Sequence, residues 1–202
     1  MPLLLSIMPQ TAFVSTETFT QDEFEAWLAD LPSGDVNHYE LINGRVVMSP
    51  PAGWPHGNIE ARIVRALSNC TALHHLGEVV GSSAGYRLPS GDTLEPDVSF
   101  ISFARLQAGP APRRGKFLEI VPNLVVEILS DSTAASDRGE KKAIYERNGV
   151  EEYWLVDSDR RVITLFRLSA GQYGPPLTFG PADSLTSVVL PQLTLPVSEV
   201  FV

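Results

Sequence analysis

Cysteine is almost absent from this sequence: Cys70 is the single one among 202 residues. One cysteine cannot form a disulfide within the chain, so the fold must depend on packing and hydrogen bonds. The count fits a reducing compartment, and we expect a cytoplasmic protein. Cys70 could be a nucleophile, but a small apolar residue on a helix explains it better.

Positive charge is also scarce. Lysine and arginine total 15 residues against 24 aspartates and glutamates, which gives a net charge of −9 and a pI of about 4.9. A general nucleic-acid binder normally carries an excess of basic residues. A nuclease remains compatible with this balance, because bound divalent cations would offset acidic charge at the site and basic residues could cluster locally. Candidates for such a cluster are Arg62, Arg65, Arg87, Arg105, Arg113, Arg114 and Lys116.

Long hydrophobic runs and internal repeats are missing as well. No stretch is apolar enough over about 20 residues to cross a bilayer, and residues 1–9 lack the charged region and longer apolar core of a signal peptide. Apolar residues still make up 44% of the chain, enough for a hydrophobic core. We expect a single domain over residues 17–202, preceded by a disordered or extended segment at residues 1–16.

Local patterns predict interleaved helices and strands. Phe19–Leu31 is predicted to be a helix, because Thr20 and the glutamate three residues later match a capping box. Asn43 and Gly44 favour a hairpin turn, since both turn positions need positive φ. A long helix is expected from His56 to about Leu73. Helices and strands continue to alternate to the C-terminus, so the fold class is α/β or α+β, with a mixed β-sheet flanked by helices.

A carboxylate interrupts the most apolar segment of the second half. Glu127 lies within Leu124–Leu129, a run typical of a central strand covered on both faces. Burying an unpaired charge is costly, so a glutamate there should be paired or should bind a metal. A buried salt bridge, or a strand end from which the side chain reaches solvent, explains it equally well.

A second carboxylate stands at the start of another apolar strand. Asp97 follows Pro96 and precedes the strand predicted at Val98–Ile101. Carboxylates on neighbouring strands converge easily, and Mg²⁺ prefers such oxygen ligands. An aspartate in a turn after proline is the common alternative.

An amine completes the set. Asp137, Lys141 and Tyr145 are spaced i, i+4 and i+8 on a helix predicted over Asp137–Asn148, so they share one face. Lys141 could reach back to both carboxylates, where an ammonium would orient a water molecule and stabilise charge on a phosphate. The alternative is a solvated Asp–Lys pair worth about 0.3–0.5 kcal/mol.

Two further residues are candidates. Glu40 and Ile42 alternate along a predicted strand and point to the same face, where a carboxylate is unusual. An exposed glutamate on an edge strand is the alternative. His56 opens the long helix, where it could contact a substrate phosphate or cap the preceding turn.

These residues together give the sequence a resemblance to the PD-(D/E)XK nuclease superfamily, and within it to the Uma-type restriction endonuclease family. The resemblance extends from about Thr18 to the C-terminus and depends on the order and spacing of several segments. The segments are Tyr39–Gly44, His56, Pro96–Val98, Val125–Ser130, the three residues Asp137, Lys141 and Tyr145, and Gly149–Asp157.

The resemblance implies a restriction endonuclease-like fold and a metal-dependent endonuclease that hydrolyses DNA phosphodiester bonds. It implies that Asp97 is the acid of the "PD" motif, that Glu127 is the second acid, and that both hold Mg²⁺, for which Mn²⁺ could substitute. We add the Ile128 backbone carbonyl as a further metal ligand. Lys141 is then expected to assist the attacking water, and Glu40 to support a second metal or Lys141.

In the mechanism that we expect, DNA is the partner, His56 contacts a substrate phosphate, and Tyr145 orients Lys141 or a phosphate. A homodimer is expected, since double-strand cutting often pairs two sites. The chain departs from the superfamily pattern at Leu129, where the lysine usually stands; Lys141 matches a branch that carries its lysine on the following helix. It also departs at Asp131, where the family usually has proline between two serines.

Two other functions stay open at this point. The chain could be a non-catalytic nucleic-acid-binding or interaction module that retains the nuclease fold, because a fold does not secure a function. It could also be a phosphodiesterase acting on small nucleotides or RNA.

Overall fold

The computed structural model describes residues 13–201, so the predictions for residues 1–12 and for residue 202 lie outside its described part. The elements, in chain order, are β1 (Phe13–Val14), α1 (Gln21–Ala29), β2 (His38–Ile42), β3 (Arg45–Ser49), α2 (His56–His74), β4 (Gly77–Gly81), β5 (Tyr86–Arg87), β6 (Thr93–Leu94), β7 (Val98–Ser102), α3 (Phe103–Ala108), β8 (Leu124–Ile128), α4 (Ala134–Ser136), a π-helical turn (Asp137–Lys141), α5 (Lys142–Arg147), β9 (Glu152–Asp157), β10 (Val162–Ser169), β11 (Gln172–Tyr173), β12 (Leu177–Phe179), β13 (Ser184–Thr186), β14 (Thr194–Pro196) and a 3₁₀ turn (Val197–Glu199).

Two sheets carry the fold. The larger sheet has the order β11-β10-β9-β8-β7-β4, with β12 also paired to β10, and the smaller has the order β1-β3-β2-β6-β5. Within the larger sheet β8 and β9 run parallel, while its other pairs are antiparallel. The prediction of a mixed sheet flanked by helices is therefore confirmed.

The local signals in the first half of the sequence are confirmed. Thr20 and Glu23 form the expected capping box at the start of α1. Asn43 and Gly44 join β2 to β3 with φ angles of 50° and 77°. The long helix α2 begins at His56, as predicted. Of the segment predicted to be disordered or extended, Phe13–Val14 pair with β3.

Strand β8 lies at the centre of the larger sheet, and all five of its residues are buried. Leu124, Val126 and Ile128 face the core that contains α2 and the C-terminal segment. Val125 faces the opposite core, formed with α5 and β9. Because side chains alternate along a strand, Glu127 lies on the same face as Val125, towards α5.

The second half of the chain differs from the prediction in two places. The short helix α3 was not expected. The helix predicted over Asp137–Asn148 begins earlier, at Ala134, and contains the π-helical turn.

No helix within residues 13–201 is both long enough and apolar enough to cross a membrane.

Candidate active site

A cleft of about 410 Å³ is lined from both sheets, from the start of α2 and from the β8–α4 loop. Its acidic side chains far outnumber its basic ones. The acids are Glu40, Glu60, Glu95, Asp97, Glu127, Asp131 and Asp137, and the basic residues are Lys141, His38 and His56. Such a cleft repels a bare phosphate and attracts cations.

Asp97 and Glu127 lie next to each other at the ends of β7 and β8. The antiparallel register pairs Val98 with Val126, so Asp97 stands opposite Glu127, just beyond the last paired residue. The Ile128 N–H donates to Asp97 Oδ2 over 2.6 Å, and the Asp97 N–H donates to Glu127 Oε2 over 3.4 Å. The sheet register itself therefore brings the two carboxylates together.

Lys141 joins the carboxylates from the helix side. Its Nζ lies 2.7 Å from Glu127 Oε1, 3.0 Å from Glu40 Oε1 and 3.4 Å from Asp137 Oδ1. The ammonium is almost completely buried, as are Glu127 and Asp137. Glu40 comes from β2 of the smaller sheet, and its Oε1 also accepts the Glu95 N–H over 2.9 Å. The Lys141 ammonium thus links three elements of the fold.

Burial and charge imbalance set the protonation of this cluster. Burial raises the pKa of Glu127 well above its usual value, and the neighbouring carboxylates raise it further. The positive charge of Lys141 lowers this pKa, but by less than the other two effects raise it. Burial likewise raises the pKa of Glu40 and of Asp137. Burial disfavours the charged form of Lys141, but the three carboxylates outweigh it and raise the pKa of Lys141 well above its usual range. The ammonium therefore stays charged, while the raised pKa values of the three carboxyls favour protonation within the cluster.

Tyr145 lies beneath the cluster. Its hydroxyl donates to Glu127 Oε1 over 2.9 Å, and its side chain is fully buried. Burial raises the pKa of this phenol well above its usual range, so it remains a donor. The expectation that Tyr145 binds substrate does not fit this position, because the side chain does not line the cleft. It holds Glu127 in place instead.

His56 supports Asp97 from the first turn of α2. Its Nε2 lies 3.1 Å from Asp97 Oδ2, and the ring lines the cleft. Burial lowers the pKa of His56, but the hydrogen bond and charge of Asp97 outweigh burial and raise it overall. A substrate contact by His56 stays a prediction, and in the structure the ring contacts Asp97 and the Ile128 backbone.

The two acids at the strand ends suit a magnesium ion. Mg²⁺ is usually held by one or two carboxylates together with water and substrate phosphate, not by an all-protein cage. Among residues 13–201, no three His, Cys, Asp or Glu side chains form a ready metal-binding group. Asp97 Oδ1 receives no hydrogen bond from the described residues, and Glu127 Oε2 receives only the long one from Asp97. These two oxygens are the best candidates for metal ligands, and a contribution from the Ile128 carbonyl stays a prediction.

The structure also places residues that the sequence prediction undervalued or missed. Asp137 is buried against Lys141, whereas its i, i+4 spacing equally suits a solvated pair. His38 and Glu95 form a pair in the cleft, with His38 Nδ1 3.3 Å from Glu95 Oε2. Glu95 stands in the same Glu-Pro-Asp segment as Asp97, the one signal that could have indicated it.

The basic cluster considered from the sequence does not line the cleft. Most of its members are engaged with acids elsewhere on the surface. The pairs are Arg87 with Asp22 and Glu25, Lys116 with Glu25, Arg105 with Glu151, and Arg113 with Glu119. Among the described residues, the lining of the cleft contains no arginine, and Lys141 is its one lysine.

Comparison with known proteins agrees with the fold. Residues 21–198 match the model of the Uma2 family, described as "Putative restriction endonuclease". A solved structure described as a "putative nuclease belonging to DUF820 from Anabaena variabilis ATCC 29413" superposes with a TM-score of 0.74. That chain is 20% identical, over 91% of this chain and 97% of its own length, so the likeness shows the fold alone. No curated protein matches. The family match spans most of the chain and confirms the resemblance found in the sequence, so this protein belongs to the Uma2 family, which has a restriction endonuclease-like fold.

Proposed function

We propose that this protein is a metal-dependent nuclease that hydrolyses DNA phosphodiester bonds in the acidic cleft. One observation carries the proposal: Asp97 and Glu127 stand side by side at two strand ends, with the Lys141 ammonium 2.7 Å from Glu127. Membership of a restriction endonuclease family supports the same chemistry. The excess of carboxylates in the cleft favours a cation as the group that brings in the phosphate.

Asp97, Glu127 and the Ile128 carbonyl would hold Mg²⁺, and Mn²⁺ would substitute for it. When bound, the ion would supply Lewis acidity at the phosphate and lower the pKa of a water molecule. The protein's own contribution is to hold the two acids. His56 and the Ile128 N–H fix Asp97 Oδ2, while Lys141 and Tyr145 fix Glu127 Oε1.

Lys141 is the group of the chain best placed to act on the attacking water. Its three N–H groups face three carboxylates, and the contact to Asp137 is the longest, at 3.4 Å. Exchanging that contact for a water molecule or a phosphate oxygen would let Lys141 stabilise developing negative charge. Glu40 would keep the ammonium in position during this exchange.

A cleavage panel tests the proposal. The wild-type protein is incubated with supercoiled plasmid, linear duplex, single-stranded circle and RNA, each with Mg²⁺, Mn²⁺ or EDTA. We expect metal-dependent cleavage of DNA, and a loss of at least about 10³-fold in Asp97→Asn and in Glu127→Gln, because each removes a metal ligand. Asp30→Asn and Glu78→Gln, on exposed acids outside the cleft, are the matched controls and should retain full activity.

Folding of each variant is checked by circular dichroism and thermal melting. Metal-dependent cleavage that persists in both Asp97→Asn and Glu127→Gln would refute the assignment of the site. No cleavage of any substrate by the wild-type protein would refute the nuclease proposal as a whole.

A non-catalytic nucleic-acid-binding module is the second candidate. It is favoured by the salt bridge itself, since Lys141 already offsets part of the Glu127 charge without a metal. This candidate predicts that neither Mg²⁺ nor Mn²⁺ raises the melting temperature, whereas the nuclease proposal predicts a rise through linkage.

A homodimer belongs to the proposal only through the family resemblance. Two copies would place two clefts on opposite strands of a duplex. Light scattering at micromolar concentration gives the mass directly, and a monomeric mass with and without DNA would remove the dimer from the account.

A further inference from the structure

The acidic cleft extends into a second, shallower groove of about 320 Å³. Ala52, His56, Ser130 and Asp131 line both depressions. A polymer that places one phosphate at Asp97 therefore has room for its neighbouring nucleotide in this groove.

Trp54 lines the groove and lies outside the hydrophobic core of the described residues. Its side chain is 79% exposed, the largest value among the exposed large hydrophobic residues of the described chain. It packs in none of the described hydrophobic clusters and stacks on no other described aromatic ring. It lies two residues before His56, which contacts Asp97. A large aromatic ring held in water beside a reactive cleft is a candidate contact for a ligand with its own flat face.

The charges of the groove argue against a DNA duplex as that ligand. Duplex binding depends mainly on cations that neutralise many phosphates. The groove offers Arg138, which pairs with Asp157 at 3.0 Å, and its other charged side chains include Asp131 and Asp159. Single strands, in contrast, gain much of their affinity from bases stacked on aromatic rings.

We propose that Trp54 stacks on an unpaired nucleobase beside the phosphate held in the cleft, so that the preferred substrate is single-stranded or locally unpaired DNA. The identity of the ligand rests on the proposed nuclease function. The stacking itself rests on the exposed ring and on the continuity of groove and cleft.

Binding is measured in an Asp97→Asn background, where cleavage is blocked, with Mg²⁺ present. The probes are a fluorescein-labelled 12-nucleotide single strand of mixed sequence and the matching duplex, both followed by fluorescence anisotropy. Adding Trp54→Leu should weaken single-strand binding about 10-fold or more, which corresponds to ~1.4 kcal/mol. Trp54→Phe keeps a ring and should stay within about 3-fold of the parent.

Two further measurements distinguish base stacking on Trp54 from non-specific binding. The single strand should quench tryptophan fluorescence of the parent, and this quench should be lost in Trp54→Phe, because the stacked indole is gone. Phe103→Leu changes an exposed aromatic residue that lines neither depression and should leave binding unchanged.

Single-strand affinity that is unchanged in Trp54→Leu would overturn this inference, as would tighter binding of the duplex than of the single strand. If the wild-type protein also cleaves DNA with metal, the nuclease function stands while the inference fails. If Trp54 governs single-strand binding but no substrate is cleaved, the recognition stands and the nuclease proposal fails.

Discussion

Replacing Lys141 by methionine tests whether one ammonium holds the buried acids together. Methionine keeps most of the side-chain length and removes the charge. The substitution leaves Glu40, Glu127 and Asp137 without their shared partner, at 2.7–3.4 Å from where Nζ stood. Breaking a buried pair by removing one partner costs about 3–5 kcal/mol. Unfolding in urea at pH 7.5 should show a loss of that size, or about 6–20 °C in melting temperature.

The loss should depend on pH in a defined direction. Without Lys141 the pKa values of the three carboxyls rise further above their usual range, because burial is no longer opposed by a positive charge. A carboxyl whose pKa is raised in the folded state contributes stability below its ordinary pKa, which is 4.5 for the two glutamates and 3.8 for Asp137. It loses that stability as pH rises towards the folded value. Lys141→Met should therefore be less destabilising at pH 5 than at pH 8.

Two companion variants control this experiment. Lys142→Met alters the adjacent lysine, whose Nζ lies 4.2 Å from the centre of the Phe166 ring, and should cost only about 0.5–1 kcal/mol. The double variant Lys141→Met, Glu127→Gln removes one charge of each sign and should recover part of the lost stability. A Lys141→Met variant that loses less than about 1 kcal/mol at pH 8, or that is no more sensitive than Lys142→Met, would show that the ammonium does not hold the cluster.

Three further outcomes are expected. Burial raises the pKa of Glu127, so protons compete with Mg²⁺ for this carboxylate. The rise in melting temperature that Mg²⁺ causes should therefore grow from pH 5 to pH 8, and it should be much smaller in Glu127→Gln. A rise that does not depend on pH would contradict this. Tyr145→Phe removes one hydrogen-bond donor to Glu127. It should lower the free energy of unfolding in urea by about 1 kcal/mol and slow cleavage by less than about 10-fold. Complete loss of cleavage would instead indicate that Tyr145 contacts the substrate directly. His56→Gln releases Asp97 and should lower metal affinity or cleavage about 10–100-fold with little change in melting temperature; unchanged metal affinity and cleavage would remove His56 from the site.

The parts of the site that depend on local sequence could be predicted. Glu127 is conspicuous because a carboxylate interrupts an apolar run, and the structure buries that run on both faces. Asp97 is identified by its place before an apolar strand. The carboxylates of Asp97 and Glu127 lie together because of the register between β7 and β8. The sequence pattern is compatible with that register but does not determine it.

The remaining features depend on contacts between distant segments. Glu40 lies on a strand of the smaller sheet, and alternation along one strand cannot show that two sheets face the same cleft. The π-helical turn at Asp137–Lys141 inserts an extra residue into the helix without a recognisable sequence signal. Asp137 is buried because Tyr153, from β9, donates to its backbone carbonyl and the helix packs against the sheet. A prediction of a regular helix could not distinguish that burial from a solvated pair.

The position of a bound cation tests the central claim most directly. Crystals of the wild-type protein soaked in Mn²⁺ would be measured at the manganese absorption edge, where anomalous scattering locates the metal. We predict a peak within bonding distance, about 2.0–2.4 Å, of carboxylate oxygens from both Asp97 and Glu127, which disappears in crystals of Glu127→Gln. A peak that contacts neither carboxylate, or an empty cleft at a Mn²⁺ concentration that supports cleavage in solution, would contradict the account.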